Sequence, residues 1–410
     1  GRTSWLDEEA PPAGFLKARL VTLPDGTPPQ DAERSLPNAR NGAVALTDRG
    51  GRCRGVLTAA GLREPCPAIA SPLTVRAALR AFLDDGGDAL AIAAGGSEGP
   101  LEALLTARDL ALFTGHDIPG LIRALEGARS QVELEPLLTP GRKAVLAALA
   151  QPHDVDDCLR AASAINLAAA RAALRVDAGN THSAGGRRCC WLLTGDAARG
   201  DSLLVAAPPL TQLADDASAF EEHCLEAIRD PLAGGLYERR AALDFQFVEG
   251  DAGRYEQFQE AIGAALRAHP ETVSLLANDT LSQLPPLTFF RDLVLHLDGA
   301  QQETLDLDAA ALHPIADAAR VFALAQGRLG LPRTIDRLEA AARDYPSAEA
   351  VLRQAAAAFR TAVFHRTVNG GPLVHPGALR KLDQRLLKTA FSSVQSLLEL
   401  TSATFFWSAA

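Results

Sequence analysis

CWLLTGDAARGDSLLVAAPPLTQLADD, Cys190 to Asp216, is the stretch on which the rest of the chain hangs. Cys190 to Leu193 reads as a short apolar strand, Thr194 to Asp196 as a turn led by Gly195. A short polar helix follows, and then a second apolar run from Leu203. A strand that breaks at a glycine into a helix N-terminus aims backbone N–H groups, and the positive end of the helix dipole, at whatever sits there. Such an arrangement suits a phosphate.

Working outward, 410 residues are enough for roughly two to four domains with sizeable cores. The net charge of −10 argues against a general nucleic-acid binder, which needs clustered Lys and Arg. No apolar run reaches the ~18 to 20 residues that cross a bilayer. The opening GRTSWLDEEAPP reads neither as a signal peptide nor as a basic leader, so a cytoplasmic protein without a membrane partner is expected. Six cysteines (Cys53, Cys66, Cys158, Cys189, Cys190, Cys224) form no CxxC pair and have no His at zinc spacing, so they read as structural thiols. His153, Asp154, Asp156 and Asp157 read as ordinary acid-rich dressing of a helix start behind Pro152, and no metal site is expected.

Residues 1–18, rich in Pro and acid, read as a linker. From Val21 a pattern occurs twice. The first copy is VTLPDGTPPQDAERSL and AVALTDRGGRCRGVLTAAGL; the second is AIASPLTVRAALRAFL and ALAIAAGGSEGPLEALLTARDL. Each predicts a strand, a helix, a strand, a Gly-rich hairpin, a strand and a helix start. Thr74 is an N-cap, and Val75, Ala78, Leu79, Phe82 and Leu83 share one helix face. Units ending in G-V-L-T or A-L-L-T before a helix resemble a CBS pair, placed at 19–114. That resemblance implies an adenine nucleotide in the cleft, contacted by Thr106 and Asp109; an equally good reading makes Asp109 the cap of the following helix. In the first copy Gly61 stands where Asp109 stands in the second, so one nucleotide site is expected and not two. Residues 115–185 read as a helical linker region, with breaks at Pro119, Pro136, Pro140 to Gly141 and Pro152.

Trp191, Gly195, Arg199, Asp201 and the spacing beyond them resemble the nucleotidyltransferase domain that follows CBS pairs in bacterial signalling proteins, which is related to PII-uridylyltransferases and to polymerase-β-type transferases. The family pattern is W-x-x-x-G-S-x-G-R-x-E, then D-x-D-N, then an apolar strand. Its paired aspartates hold two Mg²⁺ ions. Here Ala207 and Pro209 take their places, and Asp196 replaces the serine, putting an anion where a phosphate would dock. Ala241 to Asp251 reads as a further strand; the family's third metal carboxylate is retained as Asp244, while Gln246 replaces an Arg. Residues 256–410 resemble the family's helical C-terminal domain at LPPLTFFRD (Leu284 to Asp292), Leu305 to Leu324, TIDRL (Thr334 to Leu338) and Leu379 to Phe391. Asp308 replaces a Lys there. Arg320 is kept and reads as an intramolecular salt-bridge partner.

The expected fold is therefore α/β plus all-α: a CBS pair, a helical linker, a polymerase-β-like α/β domain at 186–255 and a helical bundle. The expected function is that of a homodimeric signal-transduction regulator that senses an adenine nucleotide, serves a protein partner, and carries a degenerate transferase site in which Gly195, Asp196, Arg199, Asp201, Ala207, Pro209 and Asp244 are vestigial. Two alternatives stand beside it: an active Mg²⁺-dependent protein uridylyl- or adenylyltransferase drawing acids from Asp201, Asp215 and Asp216, and a ligand-free dimerisation module.

Overall fold

The computed structural model of the chain describes residues 3–8, 11, 13–66, 68–71, 73–96, 98–178, 188–203, 208–214, 218–231, 240–283 and 304–405. It divides into two compact units, Gly1–Ala150 with Arg160–Val176, and Gln151–Leu159 with Asp177–Leu203 and Ala207–Ala410. Among the described residues no helix is long and apolar enough to cross a membrane.

In the first unit, α1 (Ala13–Lys17) leads into two copies of one topology. β1 (Thr22–Pro24) lies parallel to β2 (Ala43–Thr47), with α2 (Pro29–Glu33) between them in the chain, and β2 runs antiparallel to β3 (Cys53–Thr58). After a short β4 (Gly61–Arg63), the second copy repeats this with β5 (Ala68–Ala70), α3 (Val75–Asp85), β6 (Ala89–Ala93) and β7 (Leu101–Thr106). Even the registers agree. Thr22 faces Ala45 as Ala68 faces Ala91, and each antiparallel ladder slips once, at Leu46/Thr47 and at Ile92/Ala93. Alternate residues of the two sheets, Ala43, Ala45 and Val56 from one and Ala89, Ala91 and Leu104 from the other, meet in one core, as the two-residue strand period dictates. The Thr74 hydroxyl accepts from the Ala77 N–H at 3.1 Å, capping α3 over its buried Val75, Ala78, Leu79 and Phe82.

The two copies part after their last strand. A helix is expected after both; in the first copy Thr58 pairs with Gly61 in a tight hairpin and the chain returns as β4. Gly61 has φ +119°, open only to glycine, and no acid stands there to cap a helix. In the second copy Asp109 does so, opening α4 (Ala107–Thr114). The segment expected as an N-terminal linker also folds back: Trp5 and Leu6 are buried, and the Trp5 indole N–H donates to Ala144 O at 3.0 Å. Ala144 belongs to α6 (Gln131–Ala148), which follows α5 (Ile118–Gly127) and runs straight through Pro136 and Pro140, where breaks are expected. Its buried face of Leu134, Gly141, Ala144, Val145 and Ala148 outweighs the hydrogen bonds the prolines remove. Residues Arg160–Val176 of the long α7 (Val155–Ala178) complete the series.

The second unit holds an antiparallel sheet ordered β10-β8-β9: β8 (Cys189–Thr194), β9 (Thr211–Ala214) and β10 (Phe245–Gly250). Between them come α8 (Gly195–Arg199) and α9 (Ala219–Arg229). β10 is shorter than the strand expected from Ala241, because Arg240–Leu243 coil into a 3-10 turn. Helices α10 (Ala252–Ala268) and α11 (Glu271–Gln283), a two-residue β11 (Leu305–Asp306), a π turn Asp308–Leu312, α12 (His313–Ala325), α13 (Thr334–Asp344), α14 (Glu349–Val368), β12 (Leu373–Val374) and α15 (Lys381–Phe405) follow. Sheet and bundle share one core: Leu192 and Phe245 pack with Phe258 and Ile262 of α10, Leu276 of α11 and Val321 of α12. Phe245 and Phe258 meet edge to face, 4.8 Å between centroids.

Candidate functional site

Gly195, with φ +58°, turns the chain from β8 into α8, and Gly200, with φ +60°, ends that helix after five residues. The Gly195 N–H does not point into open space for a phosphate, as its sequence context leads one to expect; it donates to the Asp244 carbonyl at 2.9 Å. That bond places Asp244, which immediately precedes β10, beside the β8–α8 turn.

The Asp244 carboxylate has no exposed surface, and three arginines from three elements converge on it. Arg199 of α8 donates Nη1 to Oδ2 at 2.5 Å. Arg320 of α12 donates Nη2 to Oδ2 at 2.6 Å and shares Nε between both oxygens at 3.1 Å. Arg337 of α13 donates Nη1 to Oδ1 at 2.5 Å. These five contacts exceed the roughly four lone-pair sites of a carboxylate.

Each guanidinium is anchored elsewhere as well. Arg199 also holds Asp196 and, at 2.6 Å, Asp201, whose carboxylate accepts from the Thr334 hydroxyl at 2.9 Å. Arg320 pairs with Asp317 at 2.6 Å, as Arg240 does at 2.9 Å, and Arg337 reaches the Leu331 carbonyl. Four aspartates thus face four arginines, so the cluster is neutral as a whole. Among the described residues one acceptor of the cluster is left over: Asp317 Oδ2 is buried with no hydrogen-bond partner there.

Burial pushes the Asp244 carboxyl up, but Arg320, Arg337 and Arg199 pull harder, and the group sits below the usual carboxylate range. Burial pulls Arg320 and Arg199 down; the acids around them more than reverse it. For Arg337, held by Asp244, burial wins, with Arg320 and Arg199 adding to it, and its value is lowered.

Magnesium requires oxygen ligands in octahedral array. Asp244 has no lone pair to offer it, and guanidiniums occupy the space where a cation would bind. Pro209, exposed two residues before β9 and at the Thr194 end of β8, has no ligand side chain. Among the described residues, those at the site do not fit the ion. Ala207, Asp215, Asp216 and the Leu284 to Asp292 motif lie outside the described residues. Asp308 joins a separate pair, its carboxylate 3.0 Å from Arg366 Nε of α14.

Sequence reasoning singled out Asp196, Arg199, Asp201, Asp244 and Arg320, and the fold brings all five together. It missed Arg240, Asp317, Thr334 and Arg337 as members. Thr334 and Arg337 lie within the quoted TIDRL motif, which was the available signal.

In the first unit, Asp109 Oδ2 accepts from the Thr106 N–H at 3.2 Å and hydroxyl at 2.8 Å, and Thr106 Oγ1 accepts from the Asp109 N–H, a complete capping box. Asp109 Oδ1 lies 3.0 Å from Arg19 Nη1, and the carboxylate is fully buried. A cavity of about 330 Å³ in the same unit is lined by both sheets, Cys53, Cys66, Ala91 and Leu101 among its walls; Thr106 and Asp109 are not. In the second unit a groove of about 1040 Å³ runs between α10, α11 and the end of α12, with Phe405 at its edge and the Asp244 cluster apart from it.

No curated protein matches the chain. Residues 270–405 match the family described as "Putative nucleotidyltransferase substrate binding domain". The C-terminal part of the chain is thus similar to a nucleotidyltransferase-associated helical domain; Asp317, Arg320, Thr334 and Arg337 fall inside the matched segment, and Arg199, Asp201 and Asp244 before it.

Proposed function

We propose that the protein is a regulator in which a nucleotidyltransferase-like unit has exchanged metal chemistry for an internal ion cluster, while the repeated unit binds an adenine nucleotide and passes its occupancy to a protein partner. The observation that carries the first half is Asp244. In a transferase of this kind the acid at that place holds Mg²⁺, which neutralises phosphate charge and activates the attacking hydroxyl. Here three arginines supply the positive charge instead, and they leave no oxygen for a metal. Pro209 at a second metal-carboxylate position of the resembled pattern points the same way, as does the negative charge of Asp196 beside the turn.

Support for the second half is the two-fold repetition of strand pairing in the first unit, together with Thr106 and Asp109 at the positions that contact ribose and phosphate in CBS pairs. Arg19 already neutralises Asp109, so a nucleotide reaching that carboxylate has to displace Arg19.

Calorimetric titration with ATP and with AMP, each with and without Mg²⁺, tests both halves. The expected result is adenine-nucleotide binding with an affinity that changes less than threefold on adding Mg²⁺. Asp109→Asn keeps the cap and removes the charge, and is expected to alter that affinity. Mg²⁺-dependent ATP binding, or transfer of labelled nucleotide to any protein acceptor, would return the site to active chemistry. No binding of either nucleotide would leave the repeated unit as a ligand-free dimerisation module.

A further inference from the structure

Cys53 and Cys66 take no part in the Asp244 cluster or in the Thr106–Asp109 cap; both line the cavity of the first unit. Cys53 opens β3, and Cys66 lies three residues past β4. The β3–β4 ladder pairs Thr58 with Gly61, Leu57 with Leu62 and Val56 with Arg63. Continued in the same register it would set Cys53 opposite Cys66, but the chain shifts by one residue before Cys66. The backbone still runs together there, since the Cys66 N–H donates to the Arg54 carbonyl at 3.3 Å. The two thiols nevertheless stand within hydrogen-bonding reach of each other.

The side chains also converge. Cys53 packs against the core cluster that contains Cys66, and both line the 330 Å³ cavity, Cys66 buried and Cys53 half-buried. Both are thiols in this structure. They are chemically unequal: hydrogen bonding from Cys53, with Arg63 nearby, holds the Cys66 thiol below its ordinary value against the opposing effect of burial.

We propose that Cys53 and Cys66 form a dithiol–disulfide pair that closes under a peroxide oxidant and ties β3 to the connection that leads into the second repeat. Cys66 thiolate attacks one peroxide oxygen, breaking the O–O bond; the sulfur becomes a sulfenic acid, and hydroxide leaves to take up the proton Cys66 gave away. Cys53 sulfur then attacks the sulfenic sulfur, the S–S bond forms, and the sulfenic oxygen departs as water with the Cys53 proton. Two thiols are oxidised by two electrons, and one hydrogen peroxide becomes two waters. Because Cys66 lies in the core that the two sheets share, and just ahead of β5, the new bond ties β3 to the chain entering the second repeat at the wall of the cavity.

The test is peptide mapping without reduction on the full chain, after one equivalent of hydrogen peroxide and alkylation of the remaining thiols. The expected product is a Cys53–Cys66 cross-linked peptide in at least tenfold excess over any other cysteine pair. That preference should vanish when peroxide is added in urea. In Cys53→Ser a sulfenic-acid trap should label Cys66. Full alkylation of both thiols after peroxide, or cross-linking spread equally over other cysteines in the folded chain, would overturn the pair. Trapping at Cys53 in Cys66→Ser, with no label on Cys66 in Cys53→Ser, would overturn the assigned order of attack.

Discussion

Replacing Asp244 by alanine would bury Arg199, Arg320 and Arg337 with their common acceptor gone. Removing one partner from a buried ionic cluster typically costs about 3 to 5 kcal/mol, because the charges left behind remain desolvated. Asp244→Ala should therefore lower the urea midpoint of the second unit sharply, and an unchanged midpoint would mean the cluster contributes nothing to folding. The pH dependence has a definite sign. Asp244 titrates below the usual carboxylate range when folded, so its stabilisation is fully present above about pH 3.9, the unfolded value, and is lost as pH falls through the lower folded value. The stability difference between wild type and Asp244→Asn should be flat from pH 7 to pH 5 and shrink only below pH 4; shrinkage beginning at pH 6 would assign the effect to another group. The sequence marked Asp244 as an acid within an expected strand and Arg320 as a salt-bridge partner, yet could not join them. Arg337 reaches Asp244 across 93 residues, and no local spacing encodes a contact formed by the docking of a bundle on a sheet.

At the scale of elements, two glycines of the second unit behave in opposite ways. Gly250 ends β10 opposite Cys190 with φ +114°. A Cβ there would lie 2.5 Å from Cys189 O and 2.7 Å from Cys190 Cα, backbone atoms that cannot move without opening the β8–β10 ladder. Gly250→Ala should cost about 2 kcal/mol or more. Gly263 sits inside α10, where the nearest atom to an added Cβ is the flexible end of Arg267 at 3.3 Å. Gly263→Ala should stabilise by about 0.5 to 1 kcal/mol through helix propensity. Urea denaturation of both variants checks the pair, and the argument fails if the signs agree. The same local chemistry explains which elements were legible. Thr74 announced α3, and paired apolar runs announced β2, β3, β6 and β7. The β4 hairpin was misread because G-V-L-T precedes it just as A-L-L-T precedes α4; only Gly61 against Asp109, three residues on, separates the outcomes. Pro136 and Pro140 were misread as breaks because packing of the α6 face is a tertiary fact.

For the whole molecule, composition and motif boundaries suggested five successive segments, whereas the chain folds as two compact units. The difference lies in shared cores. Nothing in residues 186–255 states that Leu192 and Phe245 will be covered by α10, α11 and α12, but once they are, sheet and bundle have no separate interiors. The two sheets of the repeated unit likewise close on each other through Ala45, Val56, Ala91 and Leu104. Each unit therefore owns a core large enough to unfold cooperatively by itself. Leu104→Ala, at a fully buried position, should cost the first unit about 2 to 5 kcal/mol, and Phe258→Ala the second unit about 3 to 5 kcal/mol. Scanning calorimetry should resolve two transitions, one lowered by Leu104→Ala and the other by Phe258→Ala. Asp244→Ala should move the same transition as Phe258→Ala, since the ion cluster and that core belong to one unit. A single transition shifted by every one of these substitutions would show that the chain unfolds as one body, and that the core of the first unit and the integrity of the Asp244 cluster are thermodynamically linked.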